Sequence, residues 1–214
     1  GNDQIRFDVA IAAMAPEMTI HAPIRELNWS REQERDWLAE HGVSVPDLTV
    51  SYSLNEGLFG TSIGGRETHD PWQMPHEDAY TMTLSPTAAK ARPEALVLTF
   101  EGGLPVALDG EAMDGVSLVA ALNERAKPHG VGRGMHTGDT ILGLKGRIAF
   151  EAPASVVLIA AHRELAKLVQ TNTMVSGEVR VRLYRGHADV VGVRSPHSLM
   201  DQGVGVYGEG AGAW

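Results

Sequence analysis

Apolar residues near the start of the chain recur at the three- to four-residue spacing of an amphipathic helix. Four positions form this pattern: Ile5, Val9, Ala12 and Ala13. Asn2 or Asp3 is a suitable cap, because either side chain accepts a hydrogen bond from the first free amides, and Pro16 ends the segment. The pattern therefore predicts a helix that begins within the first three residues.

The next segments have the patterns of a strand, a helix and the start of another strand. Residues 18–24 are bounded by prolines and have the composition of a strand. Ser30 is a suitable N-cap for a second helix, which ends near Gly42. Residues 43–45 have the β-branched composition of a strand start. This order of elements is typical of the end of a parallel α/β sheet.

The pattern changes after Pro46, where strands and helices no longer alternate regularly. Strands are predicted at residues 82–84, 95–100, 104–108, 141–150, 178–184 and 188–193, and helices at 116–126 and 155–169. Residues 53–72 are glycine-rich and polar, so they are predicted to form a loop that carries function. The irregular order favours an α+β domain for this part of the chain.

Composition and charge restrict the class of protein. The 214 residues are 43% hydrophobic and 21% charged, which is ordinary for a globular protein. The net charge of −9 argues against binding to a nucleic-acid backbone, which needs a cationic surface. No apolar run has the roughly 18 residues of a membrane span, and the polar first residues lack the basic start of a signal peptide. A soluble cytoplasmic protein with no nucleic-acid or membrane partner is therefore expected.

Generic motifs point to no catalytic nucleophile and no metal site. The chain has no cysteine, which excludes a disulfide framework and thiolate metal ligands. His129, His136 and Asp139 lie in one segment, but no histidine pair has the i, i+4 spacing of a helical zinc site. The glycines of residues 57–65 lack the spacing of a P-loop or a dinucleotide fingerprint. Residues 195–198 are more typical of a proline turn than of a serine–histidine nucleophile.

Six segments, taken in order along the chain, resemble the argininosuccinate synthase family. Residues 1–7, Gly-Asn-Asp-Gln-Ile-Arg-Phe, are similar to the G-N-D-Q-x-R-F segment of that family. Residues 52–62, followed by 70–72, are similar to its serine-bearing substrate loop. The other matching segments are residues 104–110, 129–133, 150–153 and 194–200. The resemblance covers nearly the whole chain.

This resemblance implies two domains, of α/β and α+β class. Residues 1–48 correspond to the C-terminal part of a Rossmann-like nucleotide-binding domain of the adenine nucleotide alpha-hydrolase (ATP-pyrophosphatase) type, and residues 49–214 to a synthetase domain for substrate binding and multimerisation. The family's ATP loop is expected before Gly1, a long helical segment near residues 171–175, and a terminal helix after Trp214. The sequence is therefore expected to be part of a longer chain, and by itself an inactive binding or oligomerisation fragment.

The same resemblance implies a carbon–nitrogen ligase of arginine biosynthesis. Such an enzyme joins citrulline and aspartate to form argininosuccinate and converts ATP, bound with Mg²⁺, to AMP and diphosphate. The ureido oxygen of citrulline attacks the α-phosphorus of ATP, and the amine of aspartate then displaces AMP from the citrullyl-adenylate. This chemistry needs positioning and charge neutralisation more than a nucleophilic side chain. The family also implies a homotetramer.

Three residues of the first segment match substrate contacts of the family. By resemblance, Asn2 and Asp3 bind aspartate, and Asn2 also reaches citrulline. An amide side chain supplies both a donor and an acceptor, and a carboxylate pairs with an ammonium group. Arg6 lies one helical turn further on, and its planar guanidinium suits the carboxylate of citrulline.

Further citrulline contacts are implied in the glycine-rich segment. Ser53 and Ser62 match the two serines that bind citrulline in the family, and Asn55 stands where relatives often carry an aspartate. Phe150 replaces a tyrosine found in many relatives, so a hydroxyl contact is lost. Lys145 and Arg147 are candidates for binding phosphate or carboxylate groups, although a solvated strand edge is the favoured explanation for both.

Two departures from the family concern the ammonium group of citrulline. Relatives carry glutamates that help to hold citrulline where this chain has Gly64 and Gly138. A buried ammonium without an anionic partner is strongly unfavourable. In one interpretation, neighbouring carboxylates replace the glutamates, namely Asp139, Glu67 or Asp70, which makes Asp139 a candidate citrulline-binding residue. In the other, the substrate is an N-acylated citrulline, whose amide carries no ammonium.

Overall fold

A computed structural model of the chain describes residues 2–45, 51–139, 145–169 and 175–200. The α-helices with described bounds are α1 (Asn2–Met14), α2 (Pro23–Leu27), α3 (Arg31–Glu40), α4 (Gly115–Ala126) and α5 (Pro153–Leu168). The strands are β1 (Ser53–Gly57), β2 (Gly60–Gly64), β3 (Glu94–Glu101), β4 (Leu104–Leu108), β5 (Glu111–Ala112), β6 (Arg133–Asp139), β7 (Lys145–Glu151), β8 (Gly177–Tyr184) and β9 (His187–Arg194). Within the described ranges, no helix combines the length and apolar character needed to cross a bilayer.

The first 45 residues contribute three helices, and two of them were predicted. Helix α3 begins after Ser30, whose hydroxyl accepts a hydrogen bond from the amide of Gln33 while the Gln33 side chain accepts one from the amide of Ser30. The prediction of a strand at residues 18–24 is wrong, since Pro23 begins α2. The strand start at residues 43–45 is also wrong. Among the described residues, neither segment has a partner strand, so neither forms a ladder.

The second part contains a four-stranded antiparallel sheet with the order β1-β2-β7-β6. The prediction of a loop throughout residues 53–72 is wrong for its first half, because β1 and β2 form a hairpin there. In β2, Thr61 and Ile63 are buried, and Ser62 between them is only partly buried. This alternation is the period of a strand, but it is short and lies between glycines, so the sequence pattern did not show it.

A five-stranded antiparallel sheet with the order β5-β4-β3-β8-β9 holds most of the hydrophobic core. Helices α4 and α5 pack against each other and against this sheet. Buried residues come from both layers, including Leu96, Leu98, Leu118, Leu122, Val157, Ala161, Val179 and Val181. The predicted strands at residues 95–100 and 104–108, the hairpin at 178–193 and both helices of this region are confirmed.

The structure is a mixed α/β fold with two sheets, which agrees with the predicted class at this level. Strand β6 was not predicted, and the strand predicted at residues 82–84 is wrong because that segment is a loop. The predicted domain boundary after residue 48 lies outside the described residues, as does most of the segment near 171–175.

Candidate functional site

One face of the four-stranded sheet brings together the polar residues singled out in its first hairpin. Asn55 of β1 is directly opposite Ser62 of β2. Ser62 is in turn opposite Phe150 of β7, which is opposite Gly134 of β6. Directly opposed residues of antiparallel strands project from the same face of the sheet. These residues therefore form one row across all four strands.

A second row lies two residues further along each strand. Ser53 is opposite Gly64, and Ile148 is opposite His136. Because side chains alternate between the faces of a strand, this row lies on the same side of the sheet as Ser62. We call the surface formed by the two rows the open face. It presents hydroxyl, amide and imidazole groups, and neither row contains an Asp or Glu.

Two aromatic rings cover glycines on the open face and beside it. A Cβ atom added at Gly134 would lie 2.8 Å from Cε1 of Phe150. A Cβ atom added at Gly138, two residues beyond His136, would lie 2.9 Å from the Nε2 atom of that histidine. The His136 imidazole thus occupies the space that a side chain at position 138 would need. Asp139, the last residue of β6, is one position further and is opposite Lys145.

A cavity of about 730 Å³ opens between α3 and the end of the open face. Its lining residues are Arg31, Glu32, Arg35, Ser51, Ser53, Gly64, Gly65, Arg66 and His69. Three guanidinium groups line it together with one carboxylate, so the cavity is cationic. Its volume lies in the range of small-molecule sites, roughly 300–1,000 Å³. We call it the cationic cavity.

Charged groups on α3 have structural partners. Arg31 donates from Nη1 to the backbone carbonyl of Tyr52 at 3.2 Å, which connects α3 to the start of β1. Arg35 pairs with the aspartate that follows it at 3.0 Å. Hydrogen bonds from its own backbone N–H and from the N-cap serine hydroxyl lower the pKa of Glu32. These contacts bind the charged groups of Arg31, Glu32 and Arg35 to other groups of the protein, near the first turns of α3.

A tight turn after β2 presents Arg66 to the cationic cavity. Gly65 has a φ of +115°, and a Cβ atom there would lie 2.6 Å from the carbonyl oxygen of Ser51. Thr68 holds the turn, because its hydroxyl donates to the Gly65 carbonyl at 2.9 Å and accepts from the Gly65 amide at 2.8 Å. Arg66 has a φ of +40°, a left-handed conformation that costs a non-glycine residue roughly 1–2 kcal/mol. Within the described residues, its side chain makes no hydrogen bond or salt bridge, and its positive charge helps to lower the pKa of Glu67.

The opposite face of the sheet is held by Glu151, which is fully buried. One of its carboxylate oxygens accepts the amides of Thr81 and Met82, each at 2.9 Å. The other accepts the amide of Thr83 at 2.8 Å and its hydroxyl at 2.7 Å. Four hydrogen bonds thus fasten the loop of residues 81–83 beneath the open face. Sequence reasoning assigned no role to this carboxylate.

Arg147 also has a structural role, so its candidacy for binding a phosphate or carboxylate is not supported. Its guanidinium donates to backbone carbonyls on a single loop, at residues 67, 68, 70, 71 and 73. Along β7, Arg147 and Glu151 project from one face of the sheet and Phe150 projects from the other. The two charged side chains therefore reach the loops, and the phenylalanine ring belongs to the open face.

The two carboxylates proposed as replacements near Gly64 are engaged within their own turn. Glu67 accepts a hydrogen bond from the Tyr52 hydroxyl at 2.5 Å, and this bond lowers the pKa of Glu67. Asp70 accepts the amide of Trp72 and the side-chain amide of Gln73, both at 2.9 Å. Neither carboxylate lines the cationic cavity.

The residues singled out on α1 belong to the first two turns of that helix. Asn2 and Asp3 form the first turn of α1, and Arg6 follows one turn later. Asp8 of the same helix pairs with Arg25 of α2 at 2.6 Å. In the described part of the chain, α1 packs extensively against neither sheet. The structure thus gathers the hairpin residues on one face, and the substrate contacts of the α1 residues stay a prediction.

The strongest electrostatic perturbation lies away from this region, at Glu94 on β3. Partial burial on its own raises the pKa of Glu94, but hydrogen bonds from His129 and Arg125 lower it to about 2. The Nε2 atom of His129, which is fully buried, lies 3.1 Å from the Glu94 carboxylate. This group supports the core and lines neither the open face nor the cationic cavity.

A larger cavity of about 1050 Å³ lies between α4, α5 and the turn that joins β3 to β4. Its lining is mainly apolar, with side chains such as Leu58, Phe59, Phe100 and Ile159. It contains none of the residues that the sequence singled out. A binding site for a polar substrate needs convergent polar groups, so we assign the functional site to the open face and the cationic cavity.

Two family models match consecutive parts of the chain. A family model described as "Arginosuccinate synthase C-terminal domain" matches residues 52–174, and one described as "Arginosuccinate synthase N-terminal HUP domain" matches residues 1–44. The argininosuccinate synthase of Listeria monocytogenes serotype 4a is 37% identical over 246 residues, covering 97% of this chain and 61% of that protein. Those of Streptococcus uberis and Lactiplantibacillus plantarum are 35% and 37% identical, with 97% of this chain and 62% and 60% of the relative covered.

The fold and the site define a mixed α/β chain in which a helical N-terminal part precedes a two-sheet domain with an open polar face. The chain belongs to the argininosuccinate synthase family. This confirms the family resemblance of the sequence. The chain spans about three-fifths of the length of the relatives that it matches.

Proposed function

We propose that the protein to which this chain belongs catalyses the ATP-dependent ligation of citrulline and aspartate to argininosuccinate, with release of AMP and diphosphate. The observation that carries this proposal is the match of both family models along the chain. The hairpin residues Ser53, Asn55 and Ser62, which share one face of the sheet, support it further. Their hydroxyl and amide groups offer the donors and acceptors that the uncharged ureido group of citrulline needs.

In the proposed reaction the chain binds and orients the ureido substrate. Ser53 and Ser62 hydrogen-bond the substrate from the open face, with Asn55 as a further candidate on that face. Asp139 is a candidate at the end of β6, where its position alternates to the other face of the sheet. Arg6 pairs with the substrate carboxylate, while Asn2 and Asp3 hold the second amino acid. The ureido oxygen bonds to the α-phosphorus of ATP as diphosphate leaves. The aspartate amine then bonds to the ureido carbon, AMP leaves with that oxygen, and the amine loses a proton. Holding the reactants in this geometry is the main contribution of the protein.

ATP enters the proposal as a substrate, with Mg²⁺ as the ion that its triphosphate carries. No group of three His, Asp or Glu that could hold a metal occurs in residues 4–45, 51–138, 146–169 and 175–200. The N-terminal family match supports an ATP-binding domain of Rossmann-like type. Cytoplasmic location and a homotetramer are further expectations from the family, and light scattering at micromolar concentration tests the tetramer.

Diphosphate release by the full-length protein tests the proposed function. We expect release only when ATP, a citrulline substrate and aspartate are all present. Ser62→Ala should raise the KM for the ureido substrate roughly 5- to 100-fold, because the substrate loses a hydrogen bond in the site, and leave the KM for aspartate unchanged. Thr137→Ala is the matched control, since this exposed hydroxyl is on the other face of the same sheet. A full-length protein that releases no diphosphate with any citrulline derivative would instead be a binding or oligomerisation protein.

A further inference from the structure

We propose that the ureido substrate is a citrulline whose α-amino group carries an acyl chain ending in a carboxylate, and that Arg66 is the counter-ion of this carboxylate. This inference rests on the proposed function and specifies its substrate class: the same ligation of an N-acylated citrulline gives the N-acylated argininosuccinate. It follows from three features of the site: the missing carboxylates of the open face, the cationic cavity beside it, and the side chain of Arg66 in the lining of that cavity.

The open face does not offer a partner to a free ammonium group. Its two rows contain serine, asparagine, phenylalanine, isoleucine, histidine and glycine residues, and no Asp or Glu. The space beside Gly138 is filled by the His136 imidazole, and Glu67 is bound to Tyr52 in its own turn. An ammonium group on this face would therefore find no ion-pair partner among the residues of the two rows. An amide at the same position needs no counter-ion, because it is neutral and hydrogen-bonds to serine hydroxyls.

The cationic cavity begins where the acyl chain would leave the open face. Ser53 and Gly64 belong both to the second row of the open face and to the lining of this cavity. Gly64 has no side chain, and a Cβ atom built there meets no atom within 4 Å, so the space directly beside Gly64 is open. A group attached to the substrate nitrogen therefore extends towards the guanidinium groups of the lining.

Among these guanidinium groups, Arg66 is the one suited to a ligand. Arg31 and Arg35 already bond to protein groups, whereas Arg66 makes no hydrogen bond or salt bridge within the described residues, and its charge acts only through space, on Glu67 and Tyr52. The Gly65–Thr68 hydrogen bonds hold the turn that carries Arg66 at the edge of the cationic cavity. A planar guanidinium binds a carboxylate through two parallel hydrogen bonds, which distinguishes an anionic acyl tail from a neutral one.

Glu32 is the group that would favour free citrulline, because it is the carboxylate among the lining residues and could pair with an ammonium group. Its hydrogen bonds to the start of α3 occupy it there. If it nevertheless held an ammonium group, free citrulline would be the preferred substrate. The experiment below separates these two outcomes.

The test compares kcat/KM of the full-length protein, by diphosphate release, for citrulline, N-acetylcitrulline and N-succinylcitrulline. We expect N-succinylcitrulline to be the best of the three and free citrulline the poorest. Arg66→Gly should lower kcat/KM for N-succinylcitrulline roughly 10- to 100-fold and leave that for N-acetylcitrulline nearly unchanged. Glycine suits the left-handed backbone, so this variant should fold. Arg185→Gly is the matched control, because Arg185 is an exposed arginine with a φ of +41° in the β8–β9 turn and should affect neither substrate.

Each other outcome overturns the inference in a recognisable way. Preference for free citrulline would show that the ammonium is bound and would leave the proposed ligase intact. Preference for N-acetylcitrulline over N-succinylcitrulline would contradict the anionic tail. An equal loss for all substrates in Arg66→Gly would contradict the role of Arg66 as the counter-ion. Absence of diphosphate release with all three would overturn the proposed function itself.

Discussion

Replacing Glu151 tests whether the buried carboxylate under the open face holds the site in shape. In the wild-type protein this carboxylate accepts three backbone amides and one hydroxyl on residues 81–83. Glu151→Ala removes all four acceptors and leaves a cavity. Glu151→Gln keeps the size of the side chain but replaces one oxygen with an NH₂ group, which cannot accept from an amide.

The expected cost follows from the donors that each variant leaves without a partner. An unsatisfied buried donor costs roughly 1–3 kcal/mol. In Glu151→Gln, an NH₂ group placed towards Thr83 accepts neither the amide nor the hydroxyl of that residue. The hydroxyl can change from donor to acceptor, so the amide is the donor left unpaired and the loss is about 1–3 kcal/mol. In Glu151→Ala, all four donors lose their acceptor and a cavity remains. The free energy of unfolding should therefore fall by about 3–5 kcal/mol, which is the range measured when one partner of a buried charged pair is removed.

Urea unfolding followed by circular dichroism measures both losses. Glu101→Ala is the matched control, since Glu101 is an exposed glutamate at the end of β3 and should change stability by less than about 0.5 kcal/mol. Hydrogen exchange should also show faster exchange of the amides at residues 81–83 in both Glu151 variants. If Glu151→Ala unfolds at the same urea concentration as the wild type, the carboxylate does not fasten this loop and the reasoning is wrong.

Two further predictions concern Arg6 and Glu94. Arg6→Ala in the full-length protein should weaken binding of the ureido substrate by roughly 2–5 kcal/mol, because a carboxylate loses its partner, and leave ATP binding nearly unchanged by calorimetry; equal losses would point to a folding effect. The pKa of Glu94, about 2 in the folded protein, lies below the ordinary value of 4.5, so its stabilisation is present above pH 4.5 and is lost as the pH falls towards 2. Glu94→Gln should therefore lower the free energy of unfolding at pH 7, measured by urea unfolding. Between pH 4.5 and 2 this free energy should fall less steeply with pH in the variant than in the wild type, and an unchanged slope would contradict the role of Glu94.

Regular patterns explain which parts of the fold could be predicted. Val179, Val181 and Leu183 alternate with exposed arginines, so the β8–β9 hairpin was evident in the sequence. The β1–β2 hairpin was not, because its buried side consists of few apolar residues among glycines. Residues 18–24 have strand composition but no partner strand among the described residues, and a pattern of composition does not report partners.

The candidate site was predictable only in part, for a related reason. The family resemblance identified Ser53 and Ser62, and the register of the hairpin then placed them on one face. It did not identify Arg66 or His136, because their relevance depends on the tertiary contacts of Gly64 and Gly138. A signal was present, however, since Arg66 and His136 each lie two residues from a glycine that stands in place of a family glutamate.

Transfer of ureido oxygen to AMP is the most direct test of the proposed ligase. The full-length protein would be incubated with ATP, aspartate and a citrulline derivative labelled with ¹⁸O in the ureido group, and AMP would be analysed by mass spectrometry. Because the ureido oxygen bonds to the α-phosphorus and leaves with it, the account predicts AMP that contains one ¹⁸O atom. Formation of unlabelled AMP, or of ADP and phosphate in place of AMP and diphosphate, would contradict it.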